Sequence, residues 1–314
     1  MATVNTVRGP IDTSQLGATL MHEHVFNRSP GVFEAWPHLW DPDEEVARAV
    51  KTFQEVKANG IDTIVDLTTV DLGRDVHMVR RVADEVPLNI IMATGVWRRP
   101  PALFERRDID ALADLFVKDI EEGMNGTDMK AAVIKLATEP TVDELNERML
   151  RAGARAHRRT GVPISTHTDV KTRSGLAQQD VFESEGVDLT RVVIGHSGDS
   201  DDIEYLTSII KRGSYIGMDR FGLDFFLPTE KRVETVAKLC EMGYADKMVL
   251  AHDTNCFMDT IPRPVKEQRM PNWHFLHITK DILPALRQRG VTEEQVRTML
   301  VENPRRIFER QGAY

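Results

Sequence analysis

The chain has 314 residues, 41% of them hydrophobic and 28% charged, with a formal net charge of −9. Those values suit a globular protein long enough to bury a large core. Without a basic cluster interleaved with aromatics, they argue against nucleic acid or an anionic membrane as the main partner.

No apolar run approaches the roughly 20 residues that span a bilayer. Residues 1–8 lack the apolar centre of a signal peptide. Two cysteines, Cys240 and Cys256, make no disulfide framework and suit a reducing compartment, so the expected location is cytoplasmic.

The first strand reads from Leu20-Met21-His22-Glu23-His24-Val25-Phe26. On a strand, side chains alternate faces, so His22 and His24 point one way and Glu23 the other. Asp41-Pro42-Asp43-Glu44 then opens a helix, with Asp41 as cap and Pro42 in the first position. Val46, Val50, Phe53 and Val56 share its buried face, and Gly60 ends it. The second strand is 61–67, a helix covers 75–85, and the third strand is 88–95. A helix at 108–123 leads to a fourth strand at 131–137. Thr141 with Glu144 reads as a capping box for a helix running to Gly161. Further strands are expected at 162–167, 192–196, 214–220 and 248–253. Helices lie near Gly213 and over 230–243, and 256–273 is expected to be an extended loop.

Strand and helix alternate about eight times at spacings of roughly 30–40 residues, the rhythm of a parallel βα architecture. Eight repeats, strands apolar on both faces and no early Gly-x-Gly-x-x-Gly favour a closed (β/α)8 TIM barrel over an open dinucleotide fold. No linker interrupts the pattern, so residues 1–314 are expected to form one domain.

In such a barrel, chemistry collects at the C-terminal ends of the strands. Those ends carry His22 and His24, Lys135, His167, His196 and Asp253. A lone His-x-His is more often a buried pair satisfied by neighbours; the weight comes from the recurrence of further ligand types at other strand ends. Imidazole and carboxylate suit Zn, Fe, Mn or Co. Four histidines and an aspartate exceed what one catalytic ion holds, and two ions use the set better. An ammonium at Lys135 would be repelled there, whereas a neutral amine can take up CO2 and offer two carbamate oxygens. The bland alternative for Lys135 is a buried stem whose head pairs with a carboxylate.

At these residues the sequence resembles the phosphotriesterase family of the amidohydrolase superfamily, and within it the phosphotriesterase-like lactonases. The matching segments are Met21-His22-Glu23-His24-Val25, Val133-Ile134-Lys135, Thr166-His167-Thr168, Ile194-Gly195-His196-Ser197-Gly198-Asp199, Gly217-Met218-Asp219-Arg220-Phe221-Gly222, His252-Asp253, Pro271-Asn272-Trp273-His274 and Glu302-Asn303-Pro304-Arg305-Arg306-Ile307-Phe308. The resemblance implies that His22, His24 and Asp253 hold the more buried ion and that His167 and His196 hold the exposed one. It also implies a carboxylated Lys135 and a hydroxide bridging two divalent ions, zinc first among the candidates.

The implied activity is hydrolysis of lactones, N-acyl homoserine lactones foremost (quorum quenching), with weak phosphotriesterase activity beside it and Asp253 as proton shuttle. Arg220 resembles the arginine that supports the active-site loops; its alternative is an ion pair with Asp219 or Asp224. Trp97 stands where the lactonases usually carry a tyrosine, followed here by a shorter loop, which leaves ring and acyl preference open. Cys256 is expected to line a pocket rather than react. The resemblance further implies a homodimer. The competing readings are a dedicated organophosphate triester hydrolase and a catalytically silent metal-barrel binding protein.

Overall fold

The computed structural model describes residues 2–98, 100–309 and 312–314. The chain begins with an antiparallel hairpin of β1 (Thr3–Thr6) and β2 (Gly9–Asp12) that the sequence pattern did not reveal. Two four-residue strands are too short for their alternation to be read.

The main sheet contains β3 (Thr19–Asn27), β4 (Thr63–Asp66), β5 (Asn89–Gly95), β6 (Val133–Ala137), β7 (Ile164–His167), β8 (Val192–Ile194), β9 (Tyr215–Met218) and β10 (Met248–Leu250). They pair in parallel, each with its neighbour in the chain. A further strand, β11 (Asn255–Met258), pairs in parallel with β3. Between β10 and β11 the Asp253 N–H donates to His22 O at 3.0 Å, and the His24 N–H donates to Thr254 O at 2.8 Å. Residues 248–258 therefore lean on β9 at one end and on β3 at the other, and this closes the (β/α)8 barrel. The stretch expected as an open loop thus holds a strand, and it also holds a helix at Arg263–Arg269.

Both faces of the strands are apolar for different reasons. Leu20, Ile64, Ile90, Ile134, Ile164, Ile194, Ile216 and Leu250 pack outward into the large core beneath the helices. Val65, Ile91, Val133, Val193, Tyr215 and Val249 turn inward and, with Met21, Ile307 and Phe308, plug the barrel. Further along β6 and β7 the inward positions pass to Lys135 and His167.

One irregularity lets β3 serve both levels. Leu20 pairs with Ile64 but Glu23 pairs with Asp66, so β3 holds one residue more than β4 over this stretch. The bulge lets Met21 join the apolar plug while His22 reaches the mouth, an arrangement that strict alternation forbids.

The helix caps mostly follow the sequence signals. Asp41 accepts from the Asp43 and Glu44 N–H groups at the start of Pro42–Ala58, and Asp75 caps Val76–Glu85. The helix Glu144–Thr160 is capped by Asp143, whose side chain accepts from the Asn146 N–H, and not by Thr141. The helix begins too late for Thr141 to reach its free N–H groups. Gly161, at φ +74°, ends it where an L side chain would be strained. Among the described residues no helix is long and apolar enough to cross a membrane.

Candidate metal centre

The strands expected to end at His196, Arg220 and Asp253 stop sooner, at Ile194, Met218 and Leu250. Each of the three site residues instead sits in the left-handed region, with φ of +58°, +62° and +54°. Such a backbone costs a non-glycine residue on the order of 1–3 kcal/mol and persists only where its surroundings hold it. The sharp turn aims each side chain back across the barrel mouth. Here the local conformation serves the site against its own preference.

The hydrogen-bond partners assign the tautomer of every histidine in the cluster. His22 Nδ1 donates to Asp219 Oδ2 and His196 Nδ1 to Asp219 Oδ1, both at 2.9 Å. His24 Nδ1 donates at 2.9 Å to Thr68 Oγ1, whose own hydroxyl is used on Asp66. His167 Nε2 donates to Glu139 Oε2 at 2.8 Å. In a neutral imidazole the other nitrogen then carries a lone pair. All four lone pairs converge inward.

The Nε2 of His196 lies 2.7 Å from Nδ1 of His167, acceptor against acceptor. His24 Nε2 lies 3.1 Å, and His22 Nε2 3.3 Å, from the same oxygen of Asp253. A proton on His22, His167 or His196 could relieve such a confrontation, but burial opposes it. It pushes His167 down to about 4, His196 well below its ordinary value and His22 down as well. Burial would raise Asp253 and Asp219, yet both lie well below the usual carboxylate range, Asp219 because it accepts from His22 and His196 and Asp253 because the Arg220 guanidinium is against it. The set therefore asks for cations other than protons. His22, His24 and Asp253 bring one ligand atom each to within 4.8 Å of one another. The second such group, His22, His196 and Asp219, reads differently. Asp219 there accepts the Nδ1–H of both rings and the His196 backbone N–H, so it orients ligands from behind.

Lys135 is 1% exposed and points into this cluster, with Nζ 3.2 Å from His22 Nε2 and 3.4 Å from Thr166 O. No described carboxylate pairs with it, so the bland alternative of a buried ion pair fails. Burial pushes its amine down to about 8, against the pull of Asp253 and Asp219. A neutral fraction exists near neutral pH, as uptake of CO2 would require. The residues present thus fit a pair of divalent ions.

Arg220 does not pair with Asp219 or Asp224. Its Nε meets Asp253 Oδ2 at 3.1 Å, and its Nη1 meets Asp199 Oδ2 at 2.8 Å. Asp199 is held in turn by the fully buried Arg232, which also donates to the carbonyls of Gly198, Asp219, Leu223 and Leu227. Trp97 reaches the cluster from the mouth, its Nε1–H donating to His167 Nδ1 at 3.3 Å. Arg98 stacks on the Trp97 ring and pairs with Glu139 at 2.9 Å.

Above the cluster opens a pocket of about 800 Å³ whose walls include Leu72, Trp97, Leu223, Phe226, Met258, Ile261 and Trp273. A second cavity of about 520 Å³ lies across the 255–261 segment. Cys256 lines it, and burial raises the thiol far above its ordinary value, so it is inert.

Every residue expected at the site comes to one place. Glu139, Thr68 and Arg232 were not foreseen; Asp199 was read only within a motif, and Asp219 within a motif and as an alternative partner of Arg220. Asp219 and Glu139 each follow a strand within two residues, so the same strand-end rule could have found them. Thr68 also follows a strand by two residues, but threonine is not a residue type that marks such a site, and Arg232 left no local signal.

The sequence profile of the Phosphotriesterase family matches residues 2–308. A Mycobacterium tuberculosis protein named phosphotriesterase homology protein is 52% identical over 327 aligned positions, which cover 100% of both chains. An aryldialkylphosphatase of Saccharolobus solfataricus is 41% identical, covering 95% of this chain and 96% of its own length. The solved structure described as the phosphotriesterase from Mycobacterium tuberculosis superposes with a TM-score of 0.97 at 52% identity, over 99% of this chain and 100% of that one.

Proposed function

We propose that this chain, which belongs to the phosphotriesterase family of metal hydrolases, opens lactone rings, N-acyl homoserine lactones foremost. The observation that carries the reading is the set of inward lone pairs around Asp253 at the floor of a largely apolar pocket. His22, His24 and Asp253 would hold the more buried of two divalent ions, zinc first among the candidates, and His167 and His196 the exposed one. Lys135, carboxylated at Nζ, would bridge them. When bound, such a pair supplies a water acidic enough to attack near pH 7 and a polarised substrate carbonyl.

The chain's own groups do the rest. Asp253 stays ionised with the Arg220 guanidinium against it, so it can take the attacking water's proton and return it to the leaving alkoxide. Arg220, with its Nε on Oδ2, orients the carboxylate so that Oδ1 faces His22 and His24. Trp97 brings an N–H donor that can meet the carbonyl oxygen as charge develops there. The apolar walls suit an acyl chain, and excluding water from them strengthens each of these contacts.

A second reading has support of its own: the 41% identical relative is named aryldialkylphosphatase. A phosphotriester resembles the tetrahedral intermediate of ester hydrolysis, so the same site should cleave such esters slowly. Comparing kcat/KM on paraoxon with that on a panel of acyl homoserine lactones separates the two. Higher values on the lactones are expected, and a preference for paraoxon would reverse the ranking. Stoichiometric metal with no turnover of any ester would leave a binding protein.

A further inference from the structure

Glu23 lies between two of the histidines but points away from them, and it is fully buried outside the barrel mouth. Its Oε1 accepts from the His252 N–H at 2.8 Å and from His252 Nδ1 at 2.7 Å, and its Oε2 accepts from the Thr254 N–H at 3.0 Å. These donors belong to the two residues that flank Asp253. One side chain thus ties the strand bearing His22 and His24 to the turn bearing the carboxylate opposite them.

That turn is also locked from further out. The Ile278 N–H donates to His252 Nε2 at 3.0 Å, which leaves Nδ1 as the protonated nitrogen facing Glu23. Trp273 Nε1 donates to His252 O at 2.9 Å, and Thr254 Oγ1 donates to Trp273 O at 3.0 Å. Lys266 stacks on the Trp273 ring and donates to Thr254 Oγ1. Of these outer groups Trp273 reaches the pocket as part of its wall, and all of them bear on residues 252–254.

We infer that Glu23 is a positioning residue: by gripping the N–H groups of residues 252 and 254, it holds Asp253 in its left-handed turn and fixes the carboxylate against His22 and His24. Without that grip the two amides would be buried and unpaired, and the Asp253 turn would lose the contacts that hold it. The assignment rests on the metal-hydrolase reading but not on which ester is cleaved.

Glu23→Gln tests it with little change of shape. The amide oxygen can still accept from His252, while its NH2 group confronts the Thr254 N–H. Three quantities decide: release of bound metal into a chelator, kcat and KM on a chromogenic aryl ester, and Tm of the metal-free protein. Metal release should quicken and kcat should fall by about 10–100-fold, as when an outer partner of a ligand is removed, with KM little changed. In an Asp253→Asn background, where the acid–base role is already gone, Glu23→Gln should add little to the loss of kcat. A lower metal-free Tm with unchanged metal release and kcat would overturn the inference, and so would an undiminished loss of kcat in the Asp253→Asn background. If Glu23→Gln does not fold, Glu23→Asp decides. It keeps the charge but is one methylene too short to reach both N–H groups, so metal release quicker than in the wild type supports the role and an unchanged rate overturns it. Because metal release is read without substrate, failure of the lactone assignment leaves this test intact.

Discussion

The two ends of the barrel handle buried polarity in opposite ways. At the N-terminal end, donors are closed onto backbone carbonyls. Arg8 donates to Ala83, Val86 and Leu88, and Asn303 donates from Nδ2 to Ala245 O at 2.8 Å and to Met248 O at 2.7 Å. Both of these side chains meet acceptors, beside the apolar plug that Phe308 helps to fill. At the C-terminal end, acceptors face acceptors: His196 against His167, and His22 and His24 against Asp253. One end is finished by the polypeptide. The other needs positive charge brought from outside, and that is where a reaction can be run.

Removing that charge should give the largest effect. Chelation of the holoenzyme should abolish hydrolysis and lower Tm, since a ligand bound only by the folded state stabilises it by mass action. Adding divalent metal with bicarbonate should restore both, bicarbonate being needed if Lys135 bridges as a carbamate. Activity that survives complete metal removal, checked by elemental analysis, would break the comparison at its root.

Asp253→Asn comes next. Asparagine keeps an oxygen for a metal ion and for the Arg220 contact but cannot take up a proton. Loss of a positioned acid–base group costs about 10²–10⁴-fold in turnover, so kcat should fall by that order while much of the metal is retained. Wild-type kcat with full metal would remove the proton-shuttle role.

The contrast between the ends also explains what could be read in advance. The barrel rhythm and the ligand types were legible because β-branched runs recur and His22, His24, Lys135, His167, His196 and Asp253 fall at or just past their ends. The bulge in β3 was not, since an extra residue shows only against its partner strand. Nor was the left-handed backbone at His196, Arg220 and Asp253, which no propensity favours for histidine and arginine over a continued strand. Arg232 was out of reach for another reason. It lies on the helix Thr229–Glu241, on the face it shares with Val236 and Leu239, but a charged side chain there reads as solvent-facing, and its contacts are with carbonyls and an aspartate elsewhere in the chain.

A pH titration sharpens the comparison using one histidine from each end. Burial pushes both His167 at the mouth and His157 at the base down to about 4. In the unfolded chain each would bind a proton near 6.5, so between 6.5 and 4 the unfolded state holds more protons than the native one. Their contribution to stability is therefore complete above pH 6.5 and is lost as the pH falls toward 4. Metal-free protein should show Tm falling across that window. With metal present, the mouth histidines cannot protonate without losing it, so the acid loss should become steeper and depend on metal concentration. In His157→Gln, the metal-free slope should lessen while the metal dependence remains. Identical profiles with and without metal would mean that the two histidines are not distinguished as the structure implies.

The smallest effect on catalysis should come from damage to the finished end. Asn303→Ala leaves the Ala245 and Met248 carbonyls buried without the side-chain donor, a loss of about 1–3 kcal/mol by the cost of an unsatisfied buried group. Denaturant unfolding should read that loss, while kcat, KM and metal content stay at wild-type values. Asn303→Asp should cost more, because its carboxylate would face two carbonyl oxygens with no donor of its own. The reason for expecting no catalytic change is mechanical. Asn303 fixes the start of β10, but Asp253 is held separately, by Arg220 on one side and by the Glu23 grip on its neighbours on the other. A fall in kcat that tracked the fall in stability would show that the base of β10 sets the mouth after all, and the two ends would then be one cooperative unit.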